Sequence, residues 1–404
     1  MLISIAARNL VRQRTRTLLT LASVALGVAS LILARGFVDD VLWQLREATI
    51  RSQLGHFQVF APGYVDGARR EPLAHTLAGP RGAIAALHAI AGVDTVAPRL
   101  SFPGSLSNGR GQVPVIVEGV DPAAEARIGT ALSMVAGLPL ERASGPAVIV
   151  GEGVAGALGL HPGDTITLLA ATRDGALNTL DAPLAGVFRS PFKDYDAVAA
   201  RIKLDDAQAL VGTDSVNSLV VLLAPGTDVE TAIADARHVL PSDHYDVRAW
   251  WELADFYQGT AALYRREFLV LLVIVSLMVL LSVANSIGMS LHERRGEFGT
   301  VRALGYPPAT VFRQILAESL LLGACAALVG VVVGVLLAWG ISAVGIAMPP
   351  PPNSELGYTA TIRLSVPSLA LAALVGLVAS VAGAILPARR LARMPIVEAL
   401  RHAV

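Results

Sequence analysis

Phe268-Leu269-Val270-Leu271-Leu272-Val273-Ile274-Val275-Ser276-Leu277-Met278-Val279-Leu280-Leu281-Ser282-Val283-Ala284 decides how this chain is built. No charged side chain interrupts it, and a helix needs about 20 predominantly apolar residues to cross a bilayer. Three further stretches are of the same kind: Leu18–Ala34, Ile315–Val344 with one acid at Glu318, and Pro367–Leu386. The composition agrees with this mixture. Hydrophobic residues make up 53% and charged residues 16% of 404, too apolar for an ordinary soluble protein and too polar for one that is all membrane. Leu18–Ala34 follows Arg8, Arg12, Arg14 and Arg16, as a secretory signal would, but no small-x-small site closes it. We expect it to stay as a span.

Arginine placement sets the orientation. Residues 1–17 hold four Arg and no acid. The segment between the second and third spans holds Arg294, Arg295, Arg302 and Arg313, and the tail holds Arg389, Arg390, Arg393 and Arg401. The loop between the third and fourth spans holds only Arg363. Both termini are therefore expected in the cytoplasm. Residues 37–266 are expected outside, with 18 basic against 26 acidic residues, a net of −8.

The expected organisation is an amphipathic cytoplasmic helix over 1–17, and spans at 18–36, 267–289, 309–344 and 367–386. An extracytoplasmic domain fills 37–266, a cytoplasmic segment 290–308, an external loop 345–366 and a cytoplasmic tail 387–404. Arg8, Arg12 and Arg16 share one face of the first helix, opposite Ile3, Ala6, Ala7 and Leu10. Phe37, Val41, Leu45 and Ala48, and again Leu253, Tyr257 and Ala261, recur at helical spacing. The first two spans should thus continue outward as stalks. Between them, His56–Phe60, Val113–Val117, Ala147–Val150, Thr165–Leu169 and Ser218–Leu223 read as strands. Arg81–Ala91, Gly153–Leu158, Leu204–Leu210 and Val229–Leu240 read as short helices. The fold class expected is an α-helical membrane protein with four transmembrane helices plus an α+β extracytoplasmic domain on helical stalks.

Catalytic chemistry finds little footing. The histidines at 56, 75, 88, 161, 238 and 244 lack metal-ligand spacing, so no metal or other cofactor is expected. Cys325 has no partner for an internal disulfide. A net charge of zero gives no field for nucleic acid. Asp39–Asp40 and Asp205–Asp206 read as solvated faces or helix starts rather than acid/base dyads. Trp250 and Trp251 suit either an interface or a core. Glu318 should pair with an arginine or reach the interface.

Two patterns remain. Ala326, Gly330, Gly334, Ala338 and Ser342 are four apart in the third span, as are Ala372, Gly376, Ser380 and Ala384 in the fourth, with Ser23 and Gly27 in the first. Small residues on one face let helices approach closely, within a protomer or between two. The other pattern is Glu293-Arg294-Arg295-Gly296-Glu297-Phe298-Gly299-Thr300-Val301-Arg302-Ala303-Leu304-Gly305. It reads as a short amphipathic helix ended by Gly305, with Pro307 and Pro308 opening the next. Phe298, Val301 and Leu304 form an apolar edge and the charged residues face water. Such a helix suits docking of a partner, or is a solvated loop carrying inside positives.

That second stretch resembles the E-R-x-x-E-[IF]-G-x-x-[KR]-A-L-G signature of the FtsX-like permease family, of the MacB and LolC/LolE type. Pro387–Arg401 is similar to the family's P-A-x-x-A-x-x-x-P-[IV]-x-A-L-R ending, departing at Leu391. Arg8-Asn9-Leu10 with Arg14 and Thr17 resembles the family opening. Val150–Asp164 and Phe188–Leu204 resemble weaker external elements of a MacB-like periplasmic core domain. The resemblance implies a non-catalytic membrane subunit of an ABC transporter in the bacterial inner membrane. It implies pairing with a second copy or a related permease, and docking of two copies of a cytoplasmic ATPase at Glu293, Arg294, Arg295, Glu297, Phe298, Gly299, Arg302, Ala303, Leu304 and Gly305. These 404 residues contain no Gly-x-x-x-x-Gly-Lys-[Ser/Thr] loop, so the ATPase is expected as a separate chain. The motion would serve to extract or export a lipoprotein, lipid or peptide, in contact with membrane lipid and with room for a periplasmic adaptor or carrier. The alternative is an FtsX-type regulator that activates an external cell-wall hydrolase without transport.

Overall fold

The structure, a computed structural model, describes residues 14–67, 72–348 and 357–396. The amphipathic helix read over 1–17 lies outside them except for its end, as do Val397–Arg401 of the tail motif. The chain divides into two units, one of long helices and one built on a sheet.

Among the described residues, four helices are long and apolar enough to cross a membrane. They are α1 (Arg14–Thr49), α7 (Asp255–Glu293), α9 (Pro308–Val344) and α10 (Val366–Ala392). At about 1.5 Å per residue, α1 and α7 each exceed the roughly 30 Å hydrocarbon core by about 25 Å. This is the stalk-like extension that the helical spacing of Phe37–Ala48 and Leu253–Ala261 predicts. A π-helical turn, Ile50–Leu54, follows α1 and closes on Gly55, whose φ of 61° is in the left-handed region.

Glycine sets how closely the spans pack. A Cβ on Gly330 would stand 2.7 Å from the Ala25 carbonyl oxygen and on Gly376 2.4 Å from the Val28 side chain. One on Gly27 would meet Val279 at 2.6 Å, and one on Gly334 Ile32 at 3.0 Å. Gly383 faces the Leu280 carbonyl oxygen at 2.6 Å, and Gly323 faces Ser380 at 2.9 Å. Val24, Val28, Val279, Val283, Ala326 and Ala372 fill the seam. The small-residue stripe thus holds the four helices of one protomer together. Ala326, Ala338 and Ser380 are buried within the chain, whereas Ser23 is exposed.

The second unit carries a ten-stranded mixed sheet in the order β10-β1-β9-β2-β3-β8-β5-β7-β4, with β6 paired to β2 and β7. The strands are β1 (Phe57–Phe60), β2 (Val93–Ser107), β3 (Gln112–Val120), β4 (Ser133–Gly137), β5 (Val148–Gly151), β6 (Thr165–Ala171), β7 (Leu177–Arg189), β8 (Ala199–Lys203), β9 (Ser218–Leu223) and β10 (Asp246–Ala249). Helices α2 (Arg81–His88), α3 (Pro122–Ile128), α4 (Glu152–Leu158), α5 (Leu204–Val211) and α6 (Val229–Val239) cover it. Two cores form. Phe57, Leu87, Leu219 and Ile233 centre one, and Leu100, Phe102, Val117, Leu168 and Ile202 the other.

β2 is the longest strand and was not among the segments whose alternation predicts a strand. Its prolines hide it. Pro98 lies where β2 is bonded only to β9, and Pro103 where it is bonded only to β3. β6 joins at Gly104, just beyond. Each missing N–H therefore falls where one ladder alone is present, as strand prolines require. Helix α3 also escaped the sequence reading, although Asp121-Pro122 marks its start: the Asp121 carboxylate accepts from the Ala123 N–H at 3.0 Å.

The structure corrects the reading of Asp39–Asp40 as a solvated face. Asp40 is buried and accepts from the Thr361 hydroxyl at 2.8 Å and the Thr361 N–H at 3.0 Å. Asp39 accepts from Ser368 at 3.2 Å and pairs with Arg35 at 3.1 Å. Arg363 stacks over Trp43 at 4.1 Å. The second half of α1 is thereby strapped to the segment that leads into α10. Asp205–Asp206 do sit in the first turn of α5.

Candidate coupling site

The segment between the second and third spans forms one short helix, α8 (Arg295–Ala303). It begins immediately after α7, because Arg294 departs from helical geometry, with φ −100° and ψ 11°. It ends at Leu304, and Gly305 reverses the chain with a φ of 93°. The Gly305 N–H bonds the Arg302 carbonyl at 3.0 Å. Pro308 then occupies the first turn of α9, where its missing N–H costs nothing.

Phe298 anchors α8. Its side chain is buried among Leu291 of α7, Val311 and Ile315 of α9, and Ala388 and Leu391 of α10. Full burial of such a side chain stabilises by about 1.5–3 kcal/mol. Arg294 forms the second anchor. It bonds Glu318 of α9 at 3.0 Å and Glu297 at 3.1 Å, and lies 4.9 Å over the Phe298 ring. Burial alone would lower the Arg294 pKa, but Glu318 and then Glu297 hold it above the ordinary guanidinium value. Arg302 makes the third link, donating to the Met394 carbonyl beyond α10. One short helix is thus fastened to α7, α9 and α10 near the ends that adjoin it.

The site residues read from sequence therefore divide in two. Phe298 and Gly299 are buried, and Arg294 and Arg302 are committed to internal partners. Arg294 is not on an exposed face, contrary to the charge pattern, because Glu318 lies within reach only in the folded bundle. Arg295 lies beside His292, with a guanidinium nitrogen against the imidazole Nε2. Glu293, Glu297, Ala303, Leu304 and Gly305 remain exposed, with Leu304 at 75%. Tyr306, exposed beside Leu304, completes this surface and was absent from the sequence-based set. An aromatic between Gly305 and Pro307 is the signal that could have added it.

The sheet-built unit holds a second constellation that no local pattern announces. Arg99 bonds Glu125 at 2.7 and 3.0 Å. Arg201 bonds Glu118 at 2.9 Å and Glu125 at 3.0 Å. The Tyr195 hydroxyl donates to Glu118 at 2.7 Å. The four charged groups are buried and Tyr195 is half-buried, yet Arg99 also reaches the Gln53 carbonyl at 2.7 Å and Arg201 the Ser52 carbonyl at 3.5 Å. Those carbonyls belong to the π-helical turn at the end of α1, so the network ties that turn to the sheet. Burial opposes the charge on Glu118, but Arg201 and Arg99 outweigh it and hold its carboxyl below the usual range. Burial raises Tyr195 far above an ordinary phenol.

The two weaker external elements meet. A Cβ on Gly151 would stand 2.3 Å from the Asp196 carbonyl oxygen, and one on Gly153 2.7 Å from the Ala197 Cα. Arg189 clasps Glu152 at 2.5 and 2.7 Å. The Asp196 carboxylate caps the Ser190 N–H at 2.9 and 3.0 Å. Gly151 and Gly153 are glycines because the turn of Phe188–Leu204 packs against their bare backbone. Trp250 is a core residue, edge-on to Tyr257 at 4.7 Å. Among the described residues no cluster of His, Cys, Asp and Glu could hold a metal ion.

Comparison with known proteins agrees with this geometry. The lipoprotein-releasing system transmembrane protein LolC of Neisseria meningitidis is 25% identical over 96% of this chain and 94% of its own length. LolC of Xylella fastidiosa is 24% identical over 95% and 93%. The transmembrane protein LolE of Haemophilus influenzae is 25% identical over 61% of each chain. Residues 17–239 match the MacB-like periplasmic core domain, and residues 269–396 the FtsX-like permease C-terminal domain. With four membrane-length helices and an α+β unit between the first two, the chain belongs to the FtsX-like permeases that carry a MacB-like periplasmic core domain.

Proposed function

We propose that this chain is the membrane subunit of an ABC-type machine that releases a lipoprotein, or a similarly amphipathic molecule, from the bacterial inner membrane. The observation that carries the proposal is α8. A rigid helix bolted to three spans by Phe298, Arg294 and Arg302 leaves Ala303, Leu304 and Tyr306 exposed to receive a partner. A separate cytoplasmic ATPase docks there, and closure of two such ATPases tilts α8. Because α8 shares its anchors with α7, α9 and α10, that tilt moves the inner ends of the spans together. The network around Arg201 passes motion of the turn after α1 into the sheet. The arginines at 294, 295, 302, 389, 390 and 393 support a cytoplasmic location for this end, with both termini inside and residues 37–266 outside. A second permease, either the same chain or a related one, completes the assembly. Relatives named for lipoprotein release align along the full length, which favours release over a purely regulatory role.

Leu304→Asp combined with Tyr306→Asp tests the docking surface, since both side chains are exposed. The variant should lose copurification with the ATPase and the ATP hydrolysis that the complex supports. Unchanged assembly and unchanged hydrolysis would remove docking from this surface.

A further inference from the structure

A cavity of about 390 Å³ opens where α7, α8 and α10 meet. Arg295, Arg390 and the His292 imidazole form one side of its lining, and the rest is apolar, with Leu386, Leu391 and Met394 among it. Among the described residues, no carboxylate lines it. Arg295 Nε is buried without an acceptor, so this guanidinium is only partly satisfied by the protein. Arg390 is exposed on the wall and has no carboxylate partner among the described residues. A buried donor left unmade costs about 1–3 kcal/mol, which an anion in the cavity would relieve.

The depth of the cavity identifies the anion. The uninterrupted apolar run of α7 ends at Ala284, and that of α10 at Leu386. The cavity begins at those two residues and continues past them to Arg295 and Met394, at the level where the spans leave hydrocarbon. The start of α8 also faces this end of the bundle, and a helix N-terminus favours negative charge. We propose that the cavity binds the phosphate of an anionic phospholipid of the cytoplasmic leaflet. The phosphate sits between Arg295 and Arg390. The glycerol and the first methylenes lie on Leu386, Leu391 and Met394. Guanidinium groups suit this role because they bind phosphate through two parallel N–H bonds. A zwitterionic headgroup would bring an ammonium toward two arginines and is disfavoured. The inference rests on the orientation proposed above. It would place a lipid against Arg295 on the coupling helix, next to Arg294 and its strut to Glu318, so that the same helix senses the leaflet and carries the ATPase.

Native mass spectrometry of the full chain, purified without any ATPase and exchanged into an equimolar mixture of phosphatidylglycerol and phosphatidylcholine, reads this directly. The wild type should retain phosphatidylglycerol preferentially. Arg295→Gln with Arg390→Gln should weaken retention about 30-fold, from about fivefold for each arginine at a membrane surface. Arg389→Gln with Arg393→Gln removes the same charge outside the cavity and should leave retention unchanged. Equal retention of both lipids by the wild type, or equal loss in the two double variants, overturns the proposal. So does displacement of the lipid by inorganic phosphate, which would make the site one for free phosphate. Should the Arg295 and Arg390 variant not fold, the lipid preference and phosphate competition of the wild type decide alone. Because no ATPase is present, failure here is separate from failure of the docking surface.

Discussion

Replacing Arg201 by methionine should be among the most damaging single changes in the sheet-built unit, although Arg201 touches no solvent-facing surface of note. Its side chain is 2% exposed, and its partners Glu118 and Glu125 are 10% and 8% exposed. Arg201→Met strands Glu118 with only the Tyr195 hydroxyl as a close partner, while Glu125 keeps Arg99. Breaking a buried pair from one side costs about 3–5 kcal/mol. For a unit of about 200 residues that is a fall in unfolding temperature of about 10 °C. The sign of its pH dependence follows from Glu118. In the wild type its pKa is lowered, so its contribution is present above the unfolded carboxylate range and is lost as pH falls. In the variant, burial dominates and raises the pKa, so the variant gains relative stability as pH falls. The gap between wild type and variant should therefore narrow from pH 8 to pH 5 in thermal unfolding of the full chain in detergent. Arg127→Met, at an exposed pair with Asp94 spaced 2.6 Å, should cost under about 1 kcal/mol by comparison. A loss for Arg201→Met no larger than that, or a gap that is the same at both pH values, would refute the account of the network.

Phe298→Ala should remove about 3–5 kcal/mol of packing and free α8 from the bundle; ATPase binding would weaken and hydrolysis uncouple from release, read by copurification and by release from membranes. Gly330→Val should push α9 off α1, because its Cβ would stand 2.7 Å from the Ala25 carbonyl oxygen, whereas Gly340→Val meets nothing within 4 Å. Melting in detergent should fall sharply for the first and stay near wild type for the second. His56, which accepts from the Leu223 N–H at 3.1 Å, has its pKa lowered to about 4 by burial, then by Arg46 and Arg51. The fold favours the neutral ring, so stability is intact above the unfolded value and declines as pH falls toward 4, by about 2 kcal/mol after allowance for solvent screening. His56→Asn should flatten the stability profile across that window.

Much of this protein is written locally. The spans follow from runs such as Phe268–Ala284, since hydrocarbon thickness converts directly into a count of apolar residues. The stalk-like lengths of α1 and α7 follow from apolar spacing, and α8 from one short charged segment with Gly305 and two prolines after it. Strands such as Ser218–Leu223 and Thr165–Ala171 are legible because their neighbours lie on turns. What stayed hidden depends on partners distant in sequence. β2 reads as a loop until β9 and β3 supply one ladder at a time around its prolines. Asp40 looks solvated until Thr361 closes over it. The glycines of the spans announce close packing, but only the bundle decides that they meet other helices of the same protomer. Charge in the sequence says that Arg294, Arg295, Arg302 and Arg390 lie on one side of the membrane. The tertiary structure alone commits Arg294 to Glu318 and Arg302 to Met394, and brings Arg295 and Arg390 to one cavity, because three helix ends must converge before those distances exist.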